Sequence, residues 1–283
     1  MNYQLIQPKT VLTGVVFASP HSGRDYPAEM RTATVLDERT LRSSEDAYMD
    51  LLIGDAPSLG APLLLAKTPR AFVDLNRNTD ELDSALIEGV RRSAHNPRVT
   101  SGLGVIPRVV AGGRAIYSGK MPLAEARRRI DQHWQPYHSA LAALLATQRA
   151  TFGRAVLVDC HSMPHEAIEG VNGGRGPLPD VVLGDRFGAA ADGDVVDRIE
   201  LALTAEGLRV ARNTPFAGAF IAQRYGRPAQ GMHVVQMEID RALYMNEATL
   251  TQRPDFDDLR ALMRRVMSDI VTIARPDIPL AAE

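Results

Sequence analysis

Two short apolar runs, each handing over to a histidine, constrain this chain more than anything else in it. Gly14-Val15-Val16-Phe17-Ala18 leads into Ser19-Pro20-His21-Ser22-Gly23, and Ala155-Val156-Leu157-Val158 leads into Asp159-Cys160-His161-Ser162-Met163. Runs this short, β-branched and bounded by turn formers, read as buried strands. Each then delivers a His just past its C-terminal end. In open α/β sheets that edge is where loops converge over a ligand. Further strands are expected at Pro62 to Ala66, Ala71 to Asp74, Asp180 to Leu183 and His233 to Ile239. Helices are expected at Leu123 to Thr151 (interrupted near Pro136), Val195 to Glu206 ending at Gly207, and Asp255 to Ile273. The alternation predicts an α/β fold, and with no repeat or Ser/Gly linker the whole of 1–283 reads as one domain.

Composition removes several functional classes. Lys and Arg total 32 against 34 Asp and Glu, a net charge of -2, so bulk charge does not recruit nucleic acid. A single cysteine excludes an internal disulfide framework and a Cys-rich zinc module. No segment reaches the roughly 20 apolar residues that span a bilayer, and the start MNYQLIQPKT lacks the features of a signal peptide. A cytoplasmic protein with no membrane partner is expected. Gly170 to Pro177 is rich in glycine, yet neither a strand before it nor a Gly-Lys-Ser/Thr after it supports a phosphate loop.

The residues that carry chemistry sit at strand ends. Two imidazoles from separate strands suit one metal ion, and a His at such a place also serves as a plain turn residue. Asp159, two residues before His161, is placed to orient its ring. A hydrolytic zinc site needs a third ligand, and Ser43-Ser44-Glu45-Asp46 offers two carboxylates, which would equally suit an ordinary helix start. Glu238 lies inside the apolar run Val234 to Ile239, where a carboxylate is costly without a task. Beside a zinc site that task is proton transfer. Asn76-Arg77 presents an amide and a guanidinium fork suited to a substrate carboxylate, or a salt bridge to Asp74. Arg108, Arg114 and Tyr117, with Arg224 and Arg227, lie in glycine-bearing loops and suit a small acidic ligand. The run Arg127 to Arg129 reads as a solvated helix face, Cys160 as a buried small residue, and His95 as loop surface. Ser22 and Ser162 lack a Gly-x-Ser-x-Gly elbow, which argues against a serine hydrolase.

Taken in order from Val15 to Glu247, these segments resemble the N-formylglutamate amidohydrolase family. The resemblance rests on Ser19-Pro20-His21-Ser22-Gly23, Glu45-Asp46 with Asp50, Asp74-Leu75-Asn76-Arg77-Asn78 and Gly104-Val105-Ile106-Pro107-Arg108. It continues through Ile116-Tyr117, Pro136-Tyr137-His138, Asp159-Cys160-His161-Ser162-Met163, Val182-Leu183-Gly184-Asp185, Arg224-Tyr225-Gly226-Arg227-Pro228 and Gln236-Met237-Glu238-Ile239. It implies a single α/β domain with a mixed, mostly parallel sheet flanked by helices, similar to zinc-dependent exopeptidases and deacylases. It also implies one Zn2+ per chain held by His21, His161 and a carboxylate. Asp46 is preferred for that role because Asp46 and Asp50 match the family's Asp-x-x-x-Asp spacing, with Glu45 as the alternative. Arg24 stands where zinc carboxypeptidases carry a Glu, which excludes their ligand motif. By the same resemblance Glu238 is the general base, Asn76-Arg77 the carboxylate clamp, and the reaction the hydrolysis of N-formyl-L-glutamate in histidine degradation. Two other readings are a zinc deacylase or exopeptidase acting on another N-acyl amino acid or short peptide, and a non-catalytic metal- or amino-acid-binding protein. Retention of Glu238 speaks against the last, since binding alone needs no base.

Overall fold

The computed structural model describes residues 1–91, 96–171 and 176–275; His95 and the centre of the Gly170 to Pro177 loop lie outside them. Seven strands form one sheet: β1 (Tyr3–Ile6), β2 (Val15–Ser19), β3 (Leu63–Ala66), β4 (Ala155–Met163), β5 (Val181–Gly184), β6 (Val210–Arg212) and β7 (Met232–Asp240). Their order is β1-β3-β2-β4-β7-β5-β6. The pairs β2–β3, β2–β4, β4–β7 and β5–β6 are parallel, while β1–β3 and β5–β7 are antiparallel. The sheet is therefore mixed and mostly parallel, as expected.

Alternation along the central strands builds two cores. Val15, Phe17, Val156, Val158 and Cys160 pack on one face, with Val235, Met237 and Ile239 of β7. Helices Gly193–Ala205 and Phe256–Ile270 cover that face. Val16, Ala18, Ala155, Leu157 and Val234 pack on the other, beneath helix Gln135–Phe152. Side chains alternate faces with period 2. Asp159 and His161 therefore fall on the face of Leu157, and Gln236 and Glu238 on the face of Val234. The register pairs Asp159 with Gln236 and His161 with Glu238, so four polar residues meet on one face where the apolar alternation stops.

Three expectations change. β4 does not end at Val158 but runs to Met163, so His161 belongs to the strand and is held by its ladder. Ala71 to Asp74 is not a strand. Pro69 starts a tight turn in which its carbonyl accepts from Phe72 and Val73 at 2.9 and 3.3 Å. The long helical stretch is also not broken at Pro136. Leu123–Arg129 passes through a π-helical turn, Ile130–Trp134, directly into Gln135–Phe152. Pro136 has no N–H to offer the carbonyl of Gln132, one turn back. That carbonyl instead accepts from Asn2 Nδ2 at 2.6 Å.

Candidate active site

Three segments converge over the polar end of β4 and β7. His21 follows β2 by two residues, and its carbonyl accepts from Asp46 N–H at 3.0 Å, which draws the 42–48 segment against the sheet. Tyr48 then takes a left-handed conformation (φ 63°) and opens the short helix Met49–Leu52. The turn after Pro69 brings up Asp74, Asn76 and Arg77, anchored by Asp74 N–H to Val105 O at 2.9 Å.

Among the described residues, His21, Asp46 and His161 form the one group of three metal-ligating side chains whose donor atoms lie within 4.8 Å of one another, and all three are buried. Asp46 Oδ2 is 3.0 Å from His161 Nδ1 and 3.5 Å from His21 Nδ1. The far nitrogen of each ring meets a different carboxylate: His21 Nε2 lies 2.7 Å from Asp74 Oδ1, and His161 Nε2 lies 3.0 Å from Asp159 Oδ2. A carboxylate on Nε2 takes the N–H on that side and turns Nδ1 inward, where it can serve a metal as a lone-pair donor once any proton on it has left. His21 Nδ1 is a buried atom with no hydrogen-bond partner. Two inward imidazole nitrogens, one of them unpartnered, and a carboxylate oxygen between them fit the donor set of a divalent zinc site.

Glu45, one residue away, faces elsewhere. It accepts from Tyr26 OH at 2.7 Å and from Arg42 Nε at 3.2 Å, which oppose the upward push of burial on its carboxyl. Asp50 binds Arg24 through both guanidinium ends, at 3.1 and 2.8 Å.

Electrostatics hold the cluster in charged form. Burial pushes the Asp46 carboxyl up, but hydrogen bonds and charge from His161 and His21 outweigh it and hold Asp46 well below the usual range. Burial likewise opposes ionisation of Asp74, and Arg70, Arg77 and His21 hold it low. The His161 imidazole is depressed by burial yet raised further by Asp159 and Asp46, ending well above its ordinary value. Glu238 is the exception among the carboxylates. Burial raises it, Asp46 adds to that, and His161 only partly offsets both. Gln236 Nε2 donates to Glu238 Oε1 at 2.7 Å, and Gln236 Oε1 accepts from Ala219 N–H at 3.0 Å. Asn76 is locked beside them, with Oδ1 accepting from Ile221 N–H at 2.8 Å and Nδ2 lying 3.4 Å from Gln236 Oε1.

These groups line a cavity of about 580 Å3, together with Arg70, Arg77, Arg98 and Arg241. Arg77 and Asn76 were read from sequence. Arg70, Arg98, Arg241 and Gln236 were not, although Arg70 sits four residues before Asp74 and Gln236 two before Glu238. Arg241 Nη2 and Ser162 Oγ both donate to Asp46 Oδ1 at 3.2 Å, so Ser162 serves the carboxylate rather than an imidazole. The loop residues expected to bind substrate do not line the cavity. Arg108 is bound to Asp83 at 2.8 Å, and Arg114 to Thr40 and Ser43 at 3.1 and 3.4 Å. Tyr117 OH accepts from Arg129 at 2.8 Å. Arg129 is itself buried over Phe72, a correction to its reading as solvated surface. Arg224 packs over the rings of Trp134 and Phe220, and Arg227 donates to the carbonyls of Gln223 and Gly226. His165 sits away from the cluster on Asp240, at 2.7 Å.

Known proteins match this arrangement along nearly its whole length. The N-formylglutamate amidohydrolase family profile matches residues 13–245. N-formylglutamate deformylase of Pseudomonas aeruginosa is 33% identical over 266 residues, covering 92% of this chain and 94% of its own. The Pseudomonas putida enzyme of the same name is 32% identical and covers 85% of each chain. The crystal structure of N-formylglutamate amidohydrolase from Ralstonia eutropha superposes with a TM-score of 0.90 at 35% identity, covering 96% of this chain and 98% of that one. A gene product of Agrobacterium tumefaciens shares the fold, with a TM-score of 0.62 at 18% identity over 95% of this chain and 96% of that one. With the profile spanning both histidines, Asp46 and Glu238, this chain belongs to the N-formylglutamate amidohydrolase family.

Proposed function

We propose that this chain hydrolyses the formyl amide of N-formyl-L-glutamate to formate and L-glutamate, with one zinc ion held by His21, Asp46 and His161. The observation that carries the metal is the pair of buried rings backed on Nε2 by Asp74 and Asp159, with Asp46 between their Nδ1 atoms. The named activity of the relatives supports the substrate. Zinc at such a site supplies Lewis acidity, lowering the pKa of coordinated water toward ~7 and polarising a carbonyl.

The chain's own groups do the rest. Glu238, next to His161 in the ladder, takes a proton from the attacking water and returns it to the departing amine nitrogen as the C–N bond breaks. Its upward shift suits the base role, because burial makes the carboxylate hold a proton more readily than an exposed one. Gln236 holds one carboxylate oxygen in place, and the other makes no protein hydrogen bond among the described residues. Arg77, fixed through Nε to Leu103 O at 2.9 Å and Nη1 to Asn76 O at 2.8 Å, faces the cavity as the clamp for the α-carboxylate.

Formate release is the test. Zinc-loaded protein is expected to turn over N-formyl-L-glutamate and to prefer it to N-acetylated amino acids and dipeptides. Faster turnover of one of those would move the assignment to a different deacylase or peptidase.

A further inference from the structure

Four guanidinium groups line the cavity, and their commitments differ. Arg70 is paired with Asp74 at 3.0 Å, and Arg241 with Asp46 at 3.2 Å. Arg77 spends its hydrogen bonds on two backbone carbonyls and meets Asp74 only at 3.9 Å, a carboxylate already shared by Arg70 and His21. Arg98 lines the cavity, is solvent-exposed, and has no ion pair or side-chain hydrogen bond among the described residues. Its backbone is nevertheless fixed. Asn96 Oδ1 caps the short helix Pro97–Thr100 by accepting from Arg98 and Val99 N–H, at 3.0 and 3.3 Å.

One residue ties the two less-committed cations together. Leu103 N–H donates to Arg98 O at 2.8 Å, and Leu103 O accepts from Arg77 Nε at 2.9 Å. Burial, with the charges of Arg70 and Arg98, holds the Arg77 guanidinium below its ordinary value despite Asp74. The cavity thus keeps a buried cation next to the catalytic cluster and a second one at its rim.

We infer that Arg98 is a specificity-determining residue that binds the side-chain carboxylate of a dianionic N-acyl amino acid, while Arg77 binds the α-carboxylate. The assignment rests on the proposed N-formylglutamate hydrolysis and adds to it the group that selects an acidic side chain. It follows the connectivity of such a substrate. The α-carboxylate is one bond from the carbon bearing the acylated nitrogen and belongs with the deeper cation, whereas the side-chain carboxylate extends outward toward the rim.

The test compares N-formyl-L-glutamate with N-formyl-L-glutamine, which has the same shape without the second charge, using wild type, Arg98→Ala and Arg98→Lys. Arg98→Ala is expected to lower kcat/KM for the glutamate substrate about 10-fold or more, mainly through KM. Loss on the glutamine substrate should be far smaller, so the preference collapses, and Arg98→Lys should restore part of it. Equal losses on both substrates, or an unchanged ratio, would overturn the assignment. Calorimetric binding of L-glutamate against L-glutamine reads the same selectivity without turnover. Wild type should favour glutamate and Arg98→Ala should not; a preference that survives the substitution also overturns it. Wild-type protein inactive on N-formyl-L-glutamate but discriminating between these two ligands through Arg98 would sink the proposed reaction and leave this inference standing.

Discussion

Two buried imidazole environments lie on the same face of the sheet, and they have opposite character. His161 is 2% exposed and sits between the carboxylates of Asp46 and Asp159. His138 is 3% exposed and sits between aromatic rings, stacked on Trp134 at 3.8 Å and on Tyr225 at 5.8 Å. Burial depresses both, but only His138 has no carboxylate to oppose it, and it falls to about 3. Burial by itself therefore says little about a histidine's role; the charge of its neighbours decides. The charged nest around His161 has the donor set that the proposed zinc ion requires. The apolar sandwich around His138 keeps a neutral ring that donates through Nε2 to Leu75 O at 2.8 Å. Trp134 Nε1 donates to Arg77 O at 2.9 Å. Together they hold the strap carrying Asn76 from both sides, and the π-helical turn Ile130–Trp134 leads straight into this brace.

Substitutions should separate the nest from the brace. Asp46→Ala removes the carboxylate shared by both rings, and is expected to abolish stoichiometric zinc binding by elemental analysis and reduce formate release to background. Glu238→Gln keeps the nest and removes the proposed proton carrier. It should bind zinc normally while kcat falls by about 10²- to 10⁴-fold; a variant with near wild-type kcat would remove Glu238 from the mechanism. Asp159→Asn leaves all three ligands but weakens the hold on His161, and competition with a chelator should show zinc affinity reduced by about 10- to 100-fold.

The brace should respond through stability and acid sensitivity instead. His138→Gln keeps an amide donor but loses the ring, and should cost about 1–3 kcal/mol in denaturant unfolding with zinc binding intact. The sign of the pH effect follows from the depressed folded value. Between an unfolded pKa of about 6.5 and the folded value, the unfolded chain binds a proton that the folded chain refuses. This contribution is full above about pH 6.5 and is lost as pH falls toward the folded value of about 3. His138→Gln should flatten the acid limb of the stability profile over that window, and an unchanged slope would contradict the neutral assignment.

The nest was more legible in the sequence than the brace, for a physical reason. His21, His161 and Glu238 stand at the ends of, or inside, apolar runs, where a polar residue is conspicuous, and Asp159 is two residues from the ring it orients. Period-2 alternation along Val234 to Ile239 sets Gln236 and Glu238 on one face, but nothing local shows that the ladder sets them beside Asp159 and His161. Partners fixed by long-range packing left no such trace. Nothing local announces that Arg108 is taken by Asp83, that Arg129 is buried over Phe72, or that Asp74 backs His21. Pro136 signalled a break, but the carbonyl it orphans is satisfied by Asn2, 130 residues away in sequence, so the helix continues. The short strands β1 and β6 escaped because neither is a buried apolar run. Arg98 escaped because a lone arginine in a four-residue helix carries no pattern.

The central claim is that the charged nest is a catalytic metal site, and a zinc titration of metal-stripped protein tests it most directly. With N-formyl-L-glutamate present, formate release should rise in proportion to added zinc and level off at one ion per chain. His21→Ala and Asp46→Ala should show no such rise. Full turnover in the stripped protein, or an unchanged titration in those two variants, would contradict the account.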